Sequence, residues 1–327
     1  MPQSEASAQS CTIACNLCGA TSVDVVSTLD RDRKPLRTVI CRDCGLVWSD
    51  PRPLDARRFY EHEYRVQFKG AVNPKPKHVY RGGIVAIDRY EKIKAYLTGR
   101  STLLDIGSGA GEFLYLMSKA GFRGVGIEPN LGYGGYSRDQ YGVEVLPGFA
   151  QDHQFAEESF DTITMWHVLE HTEDPYGNIQ LVKKWLKPGG LLVVEVPNVE
   201  ATCLAPIHRF HIDHLYNFNR ENLAAIGEKA GLRCAEVRLS HDRGNLTAFY
   251  LAKGDAPRTD CRIPGNYEHI AGAVRAHTPA MHYTQVYPYQ RFVGRMRRIV
   301  EEATAVRDFI NGRRCLDELF STIVSRR

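Results

Sequence analysis

Three groups of residues in this 327-residue chain have types and spacings that could do chemistry. The first is two C-x-x-C pairs, CNLC at 15–18 and CRDC at 41–44, each followed by glycine. Two thiolates separated by two residues grip one ion through a tight turn. Cys15 with Cys18 and Cys41 with Cys44 would therefore complete a tetrahedral zinc site. A closed four-sulfur site offers no coordination position to a substrate, so the metal is expected to be structural, stabilising a module too small to build much core. The second group is LLDIGSGAGE at 103–112, and the third is HRFHIDHLYNFN at 208–219, with three histidines, an aspartate and a tyrosine.

The glycine group demands a particular ligand. Thr102 to Ile106 reads as a buried parallel strand, and Phe113, Leu114, Leu116 and Met117 recur at helical spacing after the turn. Gly107, Gly109 and Gly111 let the chain turn sharply and let a ligand lie against main-chain atoms. A dinucleotide loop would want glycine or alanine at 112, where this chain has Glu112, and Asp105 precedes the loop. Carboxylates on both sides repel a pyrophosphate and favour a ligand carrying an ammonium and a sulfonium. Glu128 ends the next strand, RGVGIEPN, 21 residues after Gly107, where an acid accepts both hydroxyl protons of an adenosine ribose.

Over about residues 85 to 253 the chain resembles the class I S-adenosylmethionine-dependent methyltransferases. LLDIGSGAGEFL resembles the family's first motif and GVGIEPN its ribose acid. SFDTITMWHVLEHTEDP is similar to the fourth-strand region, and LKPGGLLVVEVPN to the turn into the fifth strand. The resemblance implies an α/β fold: a Rossmann-like seven-stranded sheet with an antiparallel last strand, LRCAEVRLS and NLTAFYLAK supplying the closing pair. It implies S-adenosylmethionine as cofactor, with Asp105 near its amino group, Gly107, Gly109 and Gly111 under its methionine part, Glu128 on its ribose, and Phe149 and Ala150 beside adenine. It also places His167 at the methionine end of the cofactor and makes Glu170 and His171 shapers of the following loop.

Methyl transfer from a sulfonium is an in-line displacement, and a hydroxyl or carbon acceptor must also lose a proton. The 208–219 segment resembles the acid–histidine pair followed by aromatics of sugar and small-molecule methyltransferases. The resemblance makes Asp213 and His214 the base pair, with His211 as the rival base and Tyr216 beside the acceptor. Glu170 and Tyr64 are also expected against the acceptor, Tyr64 as a tyrosine brought over the site from the amino-terminal side. His208, His211 and His214 do not converge on either a helix or a strand, so they form no second metal site among themselves.

The elements that must position these groups divide the chain into a tail over 1–10, a zinc ribbon over 11–55 and a helical linker or lid over 56–84. The methyltransferase domain follows over 85–253, and a loop with a helical segment occupies 254–327. Phe292, Met296, Ile299, Ala303 and Val306 form an apolar stripe in that last segment that something must cover: the sheet domain, the ribbon or a second subunit in a homodimer.

A net charge of +4 is too mild to make nucleic acid the presumed partner, and 43% hydrophobic residues suit a soluble core. No apolar run approaches the roughly 20 residues of a membrane span, so no membrane partner and a cytoplasmic location are expected. The function expected is methyl transfer to an oxygen or carbon of a small molecule, a sugar or nucleotide-linked sugar. Two rival readings are an RNA methyltransferase gripping its substrate with the ribbon, and an adaptor with a vestigial cofactor site.

Overall fold

The computed structural model describes residues 13–51 and 73–324. Tyr64 lies outside them. The ribbon contains β1 (Val23–Leu29), β2 (Pro35–Cys41) and β3 (Val47–Ser49), an antiparallel meander with the first cysteine pair in a turn just before β1 and the second at the β2–β3 hairpin. Helix α1 (Pro76–Ile93) starts on a proline, where the missing N–H costs nothing, and buries Val79, Ala86, Tyr90 and Ile93 on one face.

The central sheet is built from β4 (Thr102–Ile106), α2 (Glu112–Lys119), β5 (Arg123–Glu128), α3 (Leu131–Tyr141), β6 (Glu144–Pro147) and β7 (Phe160–Trp166). It continues through α4 (Pro175–Trp185) and β8 (Leu186–Pro197). After the short β9 (Tyr216–Asn217) come α5 (Arg220–Lys229), β10 (Arg233–Leu239) and β11 (Asn245–Leu251). The strand order is β10-β11-β8-β7-β4-β5-β6, with β11 antiparallel to both neighbours and β4 to β8 parallel. The expected seven-stranded sheet with its antiparallel last strand is therefore present. The chain runs outward from β4 through β6 and then returns to lay β7 on the other side of β4. That reversal opens a crevice at the carboxyl ends of β4 and β7.

Strand β9 does not join the central sheet. Tyr216 and Asn217 pair with Trp48 and Val47, so the segment after the fifth parallel strand completes the ribbon's own sheet, β1-β2-β3-β9. One continuous core results: Cys15, Cys44, Trp48 and Tyr216 pack together with Leu169, Val194 and Val196 of the central domain. The ribbon is thus a wall of the larger body.

The chain ends in α6 (Asn266–Ala276), α7 (Pro279–Tyr283), α8 (Tyr287–Arg307) and α9 (Gly312–Val324). Helix α6 packs on β2 through Ile270 and Ala271. Helix α9 covers α1 and α2 with Leu316 and Phe320, and Gly83 makes this close approach possible: a β-carbon there would come within 2.6 Å of Leu319. The segment from 76 is thus the first helix of the sheet domain, and α9 closes the same face. Among the described residues no helix is long and apolar enough to cross a membrane.

Candidate active site

A cleft of about 630 Å³ lies at the reversal of strand order. Its floor is the β4 turn. Gly107, Gly109 and Gly111 have φ of 73°, 60° and 81°, the left-handed region that a β-carbon disfavours. A β-carbon on Gly107 would also stand 2.4 Å from Val168, whereas one on Gly111 would meet Ser137 of α3 at 2.7 Å. Gly107 and Gly109 line the cleft; Gly111 is buried against α3 and serves the packing of α2.

Glu128 lines the opposite wall. Its carboxylate accepts the Gly109 amide at 2.8 Å and the Asn130 amide at 3.2 Å, which fixes the acid at the end of β5. Phe149 and Ala150 lie beyond it on the same cleft. Asp105 sits beneath, fully buried: one oxygen accepts from Thr164 at 2.7 Å, and the other has no hydrogen-bond partner among the described residues. Burial pushes the Asp105 carboxyl up to about 6, against the pull of the Arg89 guanidinium and of Thr164. A bare bed, a pinned acid and an orphaned carboxylate oxygen fit a ligand that carries hydroxyls and positive charge.

His167 directly follows β7 with φ of 56°, a left-handed conformation uncommon outside glycine, and lines the cleft. Its Nδ1 is 3.3 Å from Glu170 and its Nε2 is 3.4 Å from Glu195. Burial alone would lower this imidazole, but the two carboxylates outweigh it and raise it to about 9. His167 is therefore an imidazolium at neutral pH, unsuited to accept a further proton. Glu195, in the middle of the apolar run of β8, also accepts Lys92 at 2.8 Å and Thr247 at 2.7 Å. Burial raises its carboxyl, yet His167 and Lys92 bring it down to about 2.

Because the folded value for His167 lies above the unfolded one of about 6.5, its stabilising contribution is complete below that pH and is lost as pH rises through about 9. Thermal unfolding is expected to show a falling melting temperature between these limits. A Glu195→Gln variant, which removes one of the two carboxylates, should flatten that slope; an unchanged slope would refute the assignment.

The segment 208–219 arrives from the ribbon side. His211 and Asp213 are buried, and the Asp213 carboxylate is 3.0 Å from His211 Nδ1. Here the structure differs from the expected Asp213–His214 pairing: Asp213 turns its carboxylate to His211 and its backbone carbonyl to His171. His171 Nδ1 donates to that carbonyl at 2.7 Å. His214 stands behind His171, ring centroids 5.0 Å apart, and burial with the neighbouring His171 lowers it to about 3.

Of this cluster it is His171 that lines the cleft, together with Thr172, Glu173 and Asp174; His211, Asp213, His214 and Glu170 form the layer behind it. Tyr216 is buried in the ribbon sheet, its hydroxyl 3.4 Å from the Glu173 carbonyl, and is no part of the cleft lining.

Two cleft residues were not among the expected site residues. Arg89 on α1 lays its guanidinium 5.0 Å over the Trp166 ring, and its Nε has no hydrogen-bond partner among the described residues. Nothing in its helical neighbourhood distinguishes it. Asp174 caps α4 through the Gly177 amide at 2.9 Å and accepts Asn16 Nδ2 of the first knuckle at 2.8 Å. The ribbon thus touches the cleft rim directly.

The four knuckle sulfurs form one cluster, with Cys15 and Cys44 3.5 Å apart, Cys18 and Cys41 3.4 Å apart, and all four within 4.8 Å. Sulfurs around a zinc ion at about 2.3 Å would be separated by roughly 3.8 Å, so the donor set fits that ion. Asn266 Nδ2 donates to the Cys44 carbonyl at 2.8 Å and holds the second knuckle from α6.

Residues 77–237, from α1 through most of β10, match the family profile described as a methyltransferase domain. The chain carries a class I S-adenosylmethionine-dependent methyltransferase domain. Among individual proteins, the C-methyltransferase NovU of Streptomyces niveus is 26% identical over 237 residues, 68% of this chain and 52% of NovU. The tRNA U34 carboxymethyltransferase of Marinobacter nauticus is 36% identical over 137 residues, 38% of this chain and 40% of that protein. The matched region thus spans about half the length of these relatives or less. A solved structure of the Burkholderia thailandensis 1,6-didemethyltoxoflavin-N1-methyltransferase overlays with a TM-score of 0.48 at 16% identity, over 64% of this chain and 97% of that one. Within the methyltransferase domain, the glycine turn and Glu128 make one half of the cleft, and His167 and His171 make the other.

Proposed function

We propose that this chain transfers a methyl group from S-adenosylmethionine to a carbon or oxygen of a small hydroxylated molecule of the sugar class. The observation that carries the proposal is the juxtaposition, in one cleft, of the glycine bed with Glu128 and the cluster built on His167 and His171. When bound, the cofactor supplies a methyl group on a positively charged sulfur. Glu128 would hold the ribose hydroxyls, the Asp105 carboxylate would offset positive charge from below, and Phe149 and Ala150 would border the adenine. Arg89 provides a cation at the cleft wall for a carboxylate.

The proton leaves by way of His171 in this reading. Its Nδ1–H is committed to the Asp213 carbonyl, which orients the ring and makes Nε2 the nitrogen that takes a proton from the acceptor. The Glu170 carboxylate lies 3.7 Å from Nε2. His214 and Asp213 then act as positioning residues behind His171. A zinc ion held by Cys15, Cys18, Cys41 and Cys44 would brace the wall from which this segment comes.

Carbon as the acceptor atom draws support from NovU, because that similarity extends over 68% of the chain, well past the stretch shared with the tRNA enzyme. The test is turnover of methyl-labelled cofactor against a panel of nucleotide sugars and glycans, with a tRNA pool in parallel. Label in a sugar is expected. Label confined to RNA would overturn the acceptor class, and failure of the protein to bind the cofactor by calorimetry would overturn the reading altogether.

A further inference from the structure

Besides the cysteine cluster, one other set of side chains among the described residues has the donors of a metal site. Glu170, His171 and His214 each offer one oxygen or nitrogen, and the three atoms lie within 4.8 Å of one another. Oxygen and nitrogen donors around a tetrahedral zinc at about 2.1 Å stand roughly 3.4 Å apart, so small side-chain rotations close this set on an ion. His214 reaches the set from the segment docked on the ribbon, where its amide donates to the His211 carbonyl at 3.0 Å.

Two features favour a cation over a cluster closed by its own hydrogen bonds. Glu170 is 1% exposed; its Oε1 lies 3.3 Å from His167 Nδ1, whereas its Oε2 has no hydrogen-bond partner among the described residues. A buried carboxylate oxygen with nothing to accept is costly, and a bound cation removes that cost. The second feature is the tautomer of His171. Donation from Nδ1 to the Asp213 carbonyl at 2.7 Å leaves the lone pair on Nε2, the arrangement that an outer carbonyl imposes on a ligating imidazole. His171 also borders the cleft with its side chain 16% exposed, which gives an ion a way in.

We infer that Glu170, His171 and His214 form a second metal site, for a divalent transition-metal ion such as zinc or cobalt. Imidazole and carboxylate donors suit these ions, while the four thiolates of the knuckles take the first equivalent of zinc. Three protein ligands leave the ion at least one further coordination position. An ion there occupies His171 Nε2, so zinc beyond the first equivalent stops methyl transfer; this consequence, unlike the site itself, rests on the proposed role of His171 as base.

Titration of the full chain, loaded with one zinc per chain, with cobalt(II) tests the site. One further equivalent is expected to bind, with visible d–d bands and without the near-ultraviolet charge-transfer band of cobalt on thiolate. Absence of a second equivalent, or bands of thiolate-bound cobalt alone, overturns the inference. Glu170→Gln and His214→Ala should each weaken cobalt binding by at least the roughly 10-fold to 100-fold that a change beyond the ligands costs. Circular dichroism identifies which of the two variants keeps the fold, and an unchanged affinity in a folded one overturns the ligand set. Zinc inhibition of labelled methyl transfer by the parent should set in only after the first equivalent. Cobalt and zinc binding with undiminished turnover would leave the metal site standing and refute His171 as the base.

Discussion

Replacing His171 by alanine is expected to lower kcat by about 100-fold to 10,000-fold, the range contributed by a positioned general base. Cofactor affinity should change little, because the glycine bed and Glu128 lie on the other half of the cleft. His214→Ala is expected to cost much less. Its ring is removed from the cleft by His171 and is held down at about 3, so it is neutral throughout the working range and a poor proton acceptor. The order of the two effects is the decisive quantity. Single-turnover rates with a saturating acceptor would show it, and a larger loss in His214→Ala than in His171→Ala would return the base to the residue that the motif alone favoured. His167 cannot fill the gap in either variant, since Glu170 and Glu195 keep it protonated.

Removal of the zinc proposed for the cysteine cluster is expected to abolish methyl transfer as well as to lower stability. In a self-contained ribbon, chelation would unfold a small appendage and leave the catalytic sheet at work. Here the cluster shares its core with the central domain, and the first knuckle is bonded to the cleft rim through Asn16 and Asp174. The second is bonded to α6 through Asn266. Structural zinc can contribute about 10–16 kcal/mol to the folding of a small module. Even a fraction of that should lower the melting temperature by about 10 °C or more for a domain of this size. Cys44→Ser should reproduce the effect without chelator. The informative comparison is melting temperature against initial rate along a zinc titration: the two should rise together. Full activity in a metal-free, folded protein would show the ribbon to be independent of the site.

The local signals were strong where the chemistry depends on near neighbours. The glycines at 107, 109 and 111 need no partner to declare a bare turn, and the acid at 128 follows at the spacing that one strand–helix–strand unit dictates. The C-x-x-C pairs declare their knuckles in the same way, and the apolar runs of β4, β7 and β8 announce a buried parallel sheet. Each of these features is confined to a stretch short enough for spacing to determine geometry.

The third group was different. HRFHIDHLYNFN shows its residue types and not its partners, because where a segment after the fifth strand goes depends on what receives it. Here the ribbon receives it: β9 adds to β3, and that pairing turns Asp213 toward His211 and puts Tyr216 in the ribbon's core. The same docking sends the Asp213 carbonyl to His171, which thereby faces the cleft. Glu195 was visible as an acid inside an apolar strand, but only the folded sheet supplied Lys92, Thr247 and His167 around it.

By itself, then, the chain determined the kind of fold, the glycine turn and the cysteine knuckles, since these follow from the steric freedom and spacing of residues within one or two elements. Tertiary structure alone decided which histidine faces the cleft, which carboxylates titrate with it, and that the ribbon is a wall of the site. Those outcomes rest on contacts between segments far apart in the chain, such as Asn16 with Tyr176 and Val47 with Asn217. No periodicity within either segment encodes them, because their energy comes from burying both surfaces together.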